Sequence, residues 1–329
     1  MTVSQPEIDY GVVRFSTDDF RAADGLTHWR EACARTMMNV DMQPVSDAPF
    51  RCAASLRRLP QLGIASIATT PNRLTRSRDL VADGNDDLIL AITLEGEADI
   101  SLGGREGRLA PGQAWVITSR EPSSTIVHTF SRFVSLAIPA AVLAPRIVGP
   151  DAALMPIPSE NAEALSLLIG YLGSLGDSVA LASSATRHTV VSHIHDLAVL
   201  AVGAAPGAAD VARGRGMRAA RLRAIKSDIM DNLDRQDFSI ETVAVNQLVT
   251  PRYVRKLFES EGTSFSEFIL AQRLFRAHRM LTDPQLSGWS ISAIAFAVGF
   301  GDISYFNRTF RRRFAATPSE VRQLGATQG

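Results

Sequence analysis

Apolar residues between positions 50 and 139 occur in short runs that turn signals separate about every ten residues. The segment DLILAITLEGEADISLGG alternates apolar and polar side chains on both sides of the tripeptide at 95–97, which predicts a β-hairpin. The Pro-Gly pair at 111–112 predicts a tight turn before a further strand. Many short strands of this kind are typical of a β-barrel or sandwich.

Residues 159–202 change to a helical pattern in two segments. Ser159, with Glu163 one turn later, marks a helix start, and Gly176-Asp177 interrupts the pattern before a second helix. Two helices joined by a short turn form an antiparallel hairpin. Its apolar residues exceed one narrow stripe, so we expect burial on two sides, either in a subunit interface or against the barrel. The sequence leaves both explanations open.

Small residues, including Gly and Pro, dominate positions 203–217 and predict a flexible linker. Helical patterns then continue to about residue 325. We therefore expect an α+β chain with four parts. These are a β domain at 1–158, the helical hairpin at 159–202, the linker at 203–217 and an all-α domain at 218–329.

The C-terminal third contains a loose internal duplication. One copy is IETVAVNQLVTPRYVRKLFESEGTSF and the other is ISAIAFAVGFGDISYFNRTFRRRFAATP. Ala244 aligns with Ala295 at an offset of 51 residues, and Phe258 aligns with Phe310 at an offset of 52, so the turn has gained one residue. Each copy predicts a short helix with a buried Ala, a tight turn and a second helix, which is a helix-turn-helix unit.

The second helix of each copy separates an apolar face from a polar one. In the first copy Val254, Leu257 and Phe258 follow the i, i+3, i+4 spacing, behind Thr250 as N-cap and Pro251 as first helical residue. The opposite faces carry Arg, Lys, Asn and Ser, which match base edges and phosphates of the major groove. The side chains expected there are Arg252, Arg255, Lys256, Ser304, Asn307, Arg308, Arg311 and Arg312.

The segment SFSEFILAQRLFRAHRML between the two copies predicts a rigid connecting helix. Recognition helices held about 34 Å apart reach successive major grooves, one DNA turn apart. One chain would then bind an extended, asymmetric DNA site without needing a dimer for its second groove.

Charge is unevenly distributed along a chain whose net charge is zero. Residues 1–217 carry 18 basic and 23 acidic side chains, whereas residues 218–329 carry 16 and 11, which suggests that the C-terminal end meets a polyanion. No run of about 18 apolar residues predicts a membrane span, and no signal peptide is predicted. We expect a cytoplasmic protein in which Cys33 and Cys52 are buried thiols.

The two strings TPRYVRKLFESEGTSFSEFI and AVGFGDISYFNRTFRRRF, followed by TPSEVR, resemble the AraC/XylS family of bacterial transcription regulators over about residues 222–324. The resemblance implies that the second helix of each unit enters the major groove. The groove-facing residues that it implies are Arg252, Arg255, Lys256, Ser304, Tyr305 and Arg308.

The string LAPGQAWVI resembles the cupin-like sensor domain of such regulators. That resemblance implies a small-molecule effector, dimerisation through nearby helices and, for activators of the family, contact with RNA polymerase. No pattern in the sequence identifies the effector-binding residues. Trp29, Trp115, Phe50 and Phe133 are expected in the core rather than in an effector pocket. The pairs Arg57-Arg58 and Arg73/Arg76 fit either an acidic effector or solvent, and we expect them in solvent.

Two positions depart from the family pattern. Leu248 stands where the first turn often has Gly, and a side chain in the left-handed region costs on the order of 1 kcal/mol, so we expect another conformation there. Ala315 stands where Gly usually follows the last Phe, so we expect the helix to continue slightly before Pro318.

The sequence therefore predicts a DNA-binding transcription regulator, an activator, that binds promoter DNA and responds to a small-molecule effector. One alternative is a metal-dependent cupin enzyme fused to the DNA-binding domain. His128 is the only His among the predicted strands, and His188 and His195 lie a heptad apart on a later helix, so we expect no metal site, cofactor or catalytic residue. A second alternative is a regulator without a ligand, in which the barrel serves only assembly.

Overall fold

The structure is a computed structural model that describes residues 11–19, 22–45, 49–149, 154–176, 181, 183–205 and 207–326. The chain divides into two compact units, residues 1–220 and 221–329. The described strands all lie in the first unit. They are β1 (Val12–Ser16), β2 (Asp41–Pro44), β3 (Cys52–Leu59), β4 (Leu62–Thr69), β5 (Asn72–Arg76), β6 (Leu88–Glu95), β7 (Ala98–Leu102), β8 (Arg105–Leu109), β9 (Ala114–Thr118), β10 (Ser123–Val127), β11 (Ser131–Ile138) and β12 (Leu154–Pro156).

These strands form two antiparallel sheets. The larger sheet has the order β1-β3-β4-β11-β6-β9-β12, and the smaller has the order β2-β5-β10-β7-β8. Six helices accompany them among the described residues of this unit. They are α1 (Ala22–Thr36), α2 (Arg78–Val81), α3 (Ala140–Leu143), α4 (Ala162–Leu175), α5 (Ser184–Val202) and α6 (Ala208–Ala212).

The hairpin predicted at 95–97 is wrong, although both of its strands exist. Strand β6 pairs with β9 and β11 in the larger sheet, whereas β7 pairs with β8 and β10 in the smaller one. Gly96 has φ 80°, and a Cβ there would lie 2.4 Å from the Phe130 carbonyl oxygen. The chain therefore changes sheets at this glycine, where only a residue without a side chain fits.

Two cores stabilise the first unit. One lies between the sheets and contains both free thiols, Cys33 and Cys52, whose pKa values burial raises to about 12, so both stay protonated. Trp29 is buried in the same core. The aromatic side chains that pack against this core are Phe50, Trp115 and Phe133, in agreement with their expected core role.

The second core lies between the larger sheet and the hairpin of α4 and α5, which confirms both predicted helices. Leu90, Leu136 and Ile138 of the sheet meet Leu168 and Ile194 of the helices, all fully buried. Packing against the barrel, the second of the two explanations offered for the hairpin, therefore holds for this structure.

The segment predicted as a flexible linker is helical over much of its length. Helix α6 passes through a π-helical turn, Arg213–Met217, into α7 (Arg218–Asp231). Asp196 on α5 is fully buried and accepts hydrogen bonds from Arg146 and from Arg215, whose Nε lies 2.6 Å from Oδ2. This buried ion pair fixes the segment, and a flexible linker is wrong for residues 208–217, because sequence composition does not reveal a distant partner.

The expectation of solvent exposure is wrong for Arg57 and Arg76, which are both buried. The guanidinium of Arg76 donates to the carbonyl oxygens of Ser119 (2.9 Å) and Asn39 (2.7 Å) and to Asp83 Oδ1 (2.8 Å). The hydrogen bonds from Arg76 hold the pKa of Asp83 at about 2, below the ordinary value of 3.8.

Because the pKa of Asp83 is lower in the folded state, its ion pair stabilises the fold fully above about pH 4, and the stabilisation is lost as pH falls through about 2. We expect Asp83→Asn to lower the free energy of unfolding by about 1–2 kcal/mol at pH 7, after discounting for partial exposure. Urea unfolding followed by circular dichroism measures this. The difference should shrink at pH 3, and Asp79→Asn, at an exposed position, is the control; a pH-independent difference contradicts the assignment.

The second unit is helical throughout the described residues. It contains the end of α7 and two cores joined by the long connecting helix α10 (Phe265–Leu281), which begins with a capping box between Ser264 and Glu267. None of the described helices is long and apolar enough to cross a membrane. The other helices of this unit are α8 (Ile240–Asn246), α9 (Pro251–Glu259), α11 (Ile291–Ala297), α12 (Ile303–Phe314) and α13 (Pro318–Ala326).

Candidate DNA-binding surface

Helices α8 and α9 form the first predicted helix-turn-helix unit. Thr250 accepts a hydrogen bond from the Tyr253 backbone N–H at 3.2 Å, and Pro251 occupies the first helical position, as the sequence indicates. Val254, Leu257 and Phe258 are buried in the first core of the unit. The apolar face of α9 thus fixes the helix and leaves the opposite face exposed.

Helices α11 and α12 form the second predicted helix-turn-helix unit, which has the same arrangement as the first. Asp302 accepts a hydrogen bond from the Tyr305 backbone N–H at 2.9 Å, and this bond, with one from Ser304, lowers the pKa of the Asp302 carboxyl. Phe306 and Phe310 are fully buried, whereas Phe314 is half-buried and packs against the same core. Helix α12 is therefore anchored by its phenylalanines, and Asp302 caps its N-terminus.

The structure places every predicted DNA-binding residue on an exposed face. On α9 the carboxylate of Glu241 lies 3.9 Å from the Arg255 guanidinium, so this arginine has an acidic neighbour on α8. On α12 the Tyr305 side chain is 44% exposed beside the buried Phe306, so its ring lies at the edge of the polar face. The residues exposed on the two helices are Arg252, Arg255, Lys256, Ser304, Tyr305, Asn307, Arg308, Arg311 and Arg312.

The two turns differ in length, but each has a residue with positive φ that makes the equivalent backbone hydrogen bond. Leu248 donates its N–H to Val245 with φ 53°, and Gly299 donates to Phe296 with φ 93°. The first turn spans residues 247–250 and the second spans 298–302, which accounts for the extra residue in the second copy. The expectation of a different conformation at Leu248 is therefore wrong. Its side chain is 91% exposed, so it meets no neighbour that would force the chain elsewhere.

Leu248→Gly should stabilise the helical unit of residues 221–329, because glycine adopts a positive φ without the steric cost that leucine carries. We expect a gain of about 0.5–1 kcal/mol in the free energy of unfolding, since the greater freedom of the unfolded glycine offsets part of the relief. Chemical unfolding followed by helical circular dichroism measures it. Leu248→Ala keeps the strain and should leave stability nearly unchanged; an equal gain from alanine would contradict the explanation.

Helix α12 ends at Phe314 and does not continue toward Pro318. Ala315 adopts the left-handed conformation with φ 54°, and its N–H donates to the Arg311 carbonyl oxygen. The expected helical continuation is therefore wrong. Ala315 adopts the left-handed conformation that glycine usually adopts at this position, and that conformation ends the helix.

Arg273 of the connecting helix binds the segment that follows α7 and lies beside the turn of the second helix-turn-helix unit, a role that no sequence pattern indicated. It donates to the carbonyl oxygens of Leu233 (2.9 Å) and Arg235 (2.6 Å), and a Cβ on Gly299 would lie 2.8 Å from its Nε. Gln236 also donates to the Phe300 carbonyl oxygen at 3.3 Å. The sequence pattern of an amphipathic helix suggests that such an arginine is exposed to solvent. Its carbonyl partners are distant in sequence and are seen only in the folded structure.

Histidines outside this surface bind protein groups. His128 Nε2 lies 2.7 Å from Asp99, His193 lies 3.0 Å from the Tyr171 hydroxyl, and His195 lies 3.0 Å from the Gln61 carbonyl oxygen. Across the described residues, no group of three or more His, Cys, Asp or Glu side chains is arranged to hold a metal ion.

Two family models match the chain. Residues 29–224 match the AraC-binding-like domain, which covers more than half of the sequence, and residues 247–324 match a helix-turn-helix domain. A β-sheet domain with a helical hairpin, followed by two helix-turn-helix units, defines a DNA-binding transcription regulator. The chain belongs to the AraC family of such regulators.

Individual relatives share different parts of the chain. The transcriptional activator RhrA of Rhizobium meliloti (strain 1021) is 44% identical over 106 residues, 32% of this chain and 33% of RhrA. The transcriptional activator NphR of a Rhodococcus species is 24% identical over 340 aligned residues, 97% of this chain and 95% of NphR. The crystal structure of the AraC-like transcriptional activator CuxR has a TM-score of 0.46 at 20% identity, with 80% of this chain and 95% of CuxR covered.

Proposed function

We propose that this protein binds promoter DNA through α9 and α12, with each helix in one major groove, and activates transcription in response to a small-molecule effector. One observation carries the proposal. Two helices at equivalent positions of a tandem repeat each bury an aromatic and aliphatic face and expose a cationic one. A solvated helix face explains one such helix, whereas two in the same register on a shared connecting helix match paired groove recognition.

The exposed side chains divide into two expected roles. Arginine pairs with guanine through two hydrogen bonds and asparagine with adenine, so Arg308 and Asn307 are assigned to bases. Lys256 and Arg311 are assigned to phosphates, which hold the protein in register without reading sequence. We assign Arg252, Arg255, Ser304 and Tyr305 to the same groove-facing surface.

The domain organisation that we propose follows the four parts predicted from the sequence, with one change. The sensor part extends from the β domain at 1–158 through the hairpin at 159–202 and includes the helical segment up to residue 217, because the Asp196–Arg215 ion pair belongs to the first unit. Residues 218–329 form the DNA-binding part. Dimerisation through the hairpin, contact with RNA polymerase and a cytoplasmic location are further parts of the proposal.

Selection of bound sites from random double-stranded DNA, with the full chain, tests the proposal. We expect an asymmetric site with two preferred blocks separated by about one helical turn, 10–10.5 base pairs. Binding without any sequence preference contradicts it. Mapping the bound sites in the source genome then identifies the neighbouring genes, and a reporter placed under such a promoter distinguishes activation from repression.

A further inference from the structure

The internal duplication of the helical unit extends over the helix that precedes each helix-turn-helix pair. Helices α7 and α10 align at the same offset of 52 residues that relates Phe258 to Phe310. The aligned pairs whose members are buried, each in the core of its own copy, are Leu222 with Leu274, Ile225 with Ala277 and Ile229 with Leu281. Each copy is therefore a bundle of three helices, α7 to α9 in the first and α10 to α12 in the second.

An arginine occupies the same aligned position in both bundles, directly before the first of these buried residues. In the first bundle, Arg221 Nη1 donates to the Gln247 carbonyl oxygen at 2.7 Å, in the turn that precedes α9. In the second bundle, Arg273 lies beside the turn that precedes α12, since a Cβ on Gly299 would lie 2.8 Å from its Nε. Each turn therefore has an arginine from the first helix of its own bundle beside it.

The hydrogen bonds of Arg273 cross from the second bundle to the first. Its Nε donates to the Leu233 carbonyl oxygen at 2.9 Å, and its Nη2 donates to the Arg235 carbonyl oxygen at 2.6 Å. Both acceptors belong to the segment between α7 and α8, and the Leu233 side chain is buried in the core of the first bundle. A planar guanidinium with fixed donors holds two such acceptors in one geometry. This side chain therefore joins the second turn to the first bundle.

Gln236 of the same segment adds a contact with the second turn. Its Nε2 donates to the Phe300 carbonyl oxygen at 3.3 Å. Helix α10 also connects the bundles, with Ile269 in the first core and Leu274 in the second. One shared helix by itself leaves two bundles able to twist about its axis through small shifts in packing, whereas a second contact beside the axis prevents the twist. The segment at 233–236 supplies that second contact.

We propose that Arg273 is the positioning residue that fixes α9 relative to α12 and so sets the spacing between the two blocks of base pairs that the protein prefers. It acts through backbone carbonyl groups of the protein rather than by touching DNA. One base pair more or fewer between the blocks moves the second block by about 3.4 Å and rotates it by about 35°. Helices held rigidly cannot follow such a shift, so one of them loses its base contacts. The inference rests on the proposed function, because it requires that both helices bind one duplex.

Affinity for a series of duplexes, measured by fluorescence anisotropy with the full chain at one salt concentration, tests the proposal. The series keeps both selected blocks and changes only the spacer between them, by one or two base pairs in either direction. We expect a change of one base pair to weaken binding by the original chain about tenfold or more, the value of one bidentate base contact. Arg273→Gln should reduce that penalty to about threefold or less, with the base preferences within each block unchanged.

Two further variants separate positioning from stability. Arg279→Gln is the matched control, because it removes the same charge from an exposed position of the same helix, and it should keep the spacing penalty of the original chain. Gln236→Ala, also at an exposed position, removes the second contact and should lower the penalty by a smaller factor than Arg273→Gln does. A variant that is merely less stable loses affinity for every duplex by the same factor, so the ratio between spacers reports positioning alone.

A second measurement needs no DNA. Spin labels on Glu259→Cys of α9 and Arg312→Cys of α12, both at exposed positions, give the distribution of distances between the two helices by double electron–electron resonance. The two native thiols are buried and protonated, so they react slowly with the label. We expect Arg273→Gln to broaden the distribution and Arg279→Gln to leave it as narrow as in the original chain.

Three results overturn the inference: the original chain tolerates every spacer equally, Arg273→Gln keeps the full spacing penalty, or its distance distribution stays as narrow as that of the original chain. If Arg273→Gln does not fold, Gln236→Ala answers the same questions. A specific DNA site with an unchanged spacing penalty in the variant leaves the proposed function standing. A broadened distribution without any sequence-specific DNA binding overturns the proposed function and keeps the positioning role of Arg273.

Discussion

Arg308→Ala should weaken binding to the selected DNA site by about 1–3 kcal/mol and relax the preference at one base position. The reason is that Arg308 is exposed in the middle of α12, between Ser304 and Arg311 on the same face, and a guanidinium at such a position is long enough to contact a base edge. Fluorescence anisotropy at one fixed salt concentration, with a series of duplexes that differ at single positions, measures both effects. Salt must be constant because phosphate contacts make affinity strongly salt-dependent.

The matched control removes the same charge from the same helix. The Arg313 guanidinium lies 4.9 Å from the centroid of the Phe275 ring, so it packs on the connecting helix. Arg313→Ala should lower the affinity less than Arg308→Ala does, with the base preferences unchanged. If the two variants lose affinity equally and keep the same preferences, Arg308 contributes charge only, and its assignment to a base is wrong.

Gly299→Ala should destabilise the second unit by about 2–4 kcal/mol, the sum of left-handed strain and overpacking. An added Cβ would lie 2.3 Å from the Leu233 carbonyl oxygen and 2.8 Å from Arg273 Nε. These two atoms form the hydrogen bond that joins α10 to the turn following α7, so the methyl group must displace that bond. We therefore expect a loss of DNA affinity at temperatures where the variant is still folded.

Thermal and urea unfolding of the full chain, followed by the helical signal, measure this loss. Gly288→Ala is the control in the same unit, since a Cβ at that position meets nothing within 4 Å. It should change stability little. A Gly299→Ala variant as stable as this control would contradict the packing account of the second turn, and the contrast with the gain expected for Leu248→Gly tests whether packing or φ alone decides each turn.

Helices α9 and α12 were predictable because the residues that specify them are close together in the sequence. Thr250 with Pro251, and the spacing of Val254, Leu257 and Phe258, specify the start and the buried face of α9 within a few residues of each other. The same holds for the strand positions, whose alternation and turn residues lie within one short segment. Local signals of this kind are readable because capping and periodicity depend on neighbours in sequence.

Strand partners and buried charges were not predictable in this way. The alternation on both sides of Gly96 fits a hairpin as well as a change of sheet, and the choice depends on the Phe130 and Ser131 backbone packed against that glycine. Arg76 is expected in solvent from its residue type, yet it is buried by carbonyl groups and a carboxylate that lie 7 to 43 positions away along the chain.

The sequence by itself determined the tandem repeat, the order of β-rich and helical parts, helices α9 and α12 and their exposed polar residues, because each depends on short-range spacing. Only the tertiary structure decided that Leu248 shares the left-handed turn of Gly299, that residues 208–217 are held by Asp196, and that Arg273 joins the segment after α7 to the second turn. These features depend on which groups, distant in sequence, come into contact in the folded chain. A pattern along the sequence carries no information about those contacts.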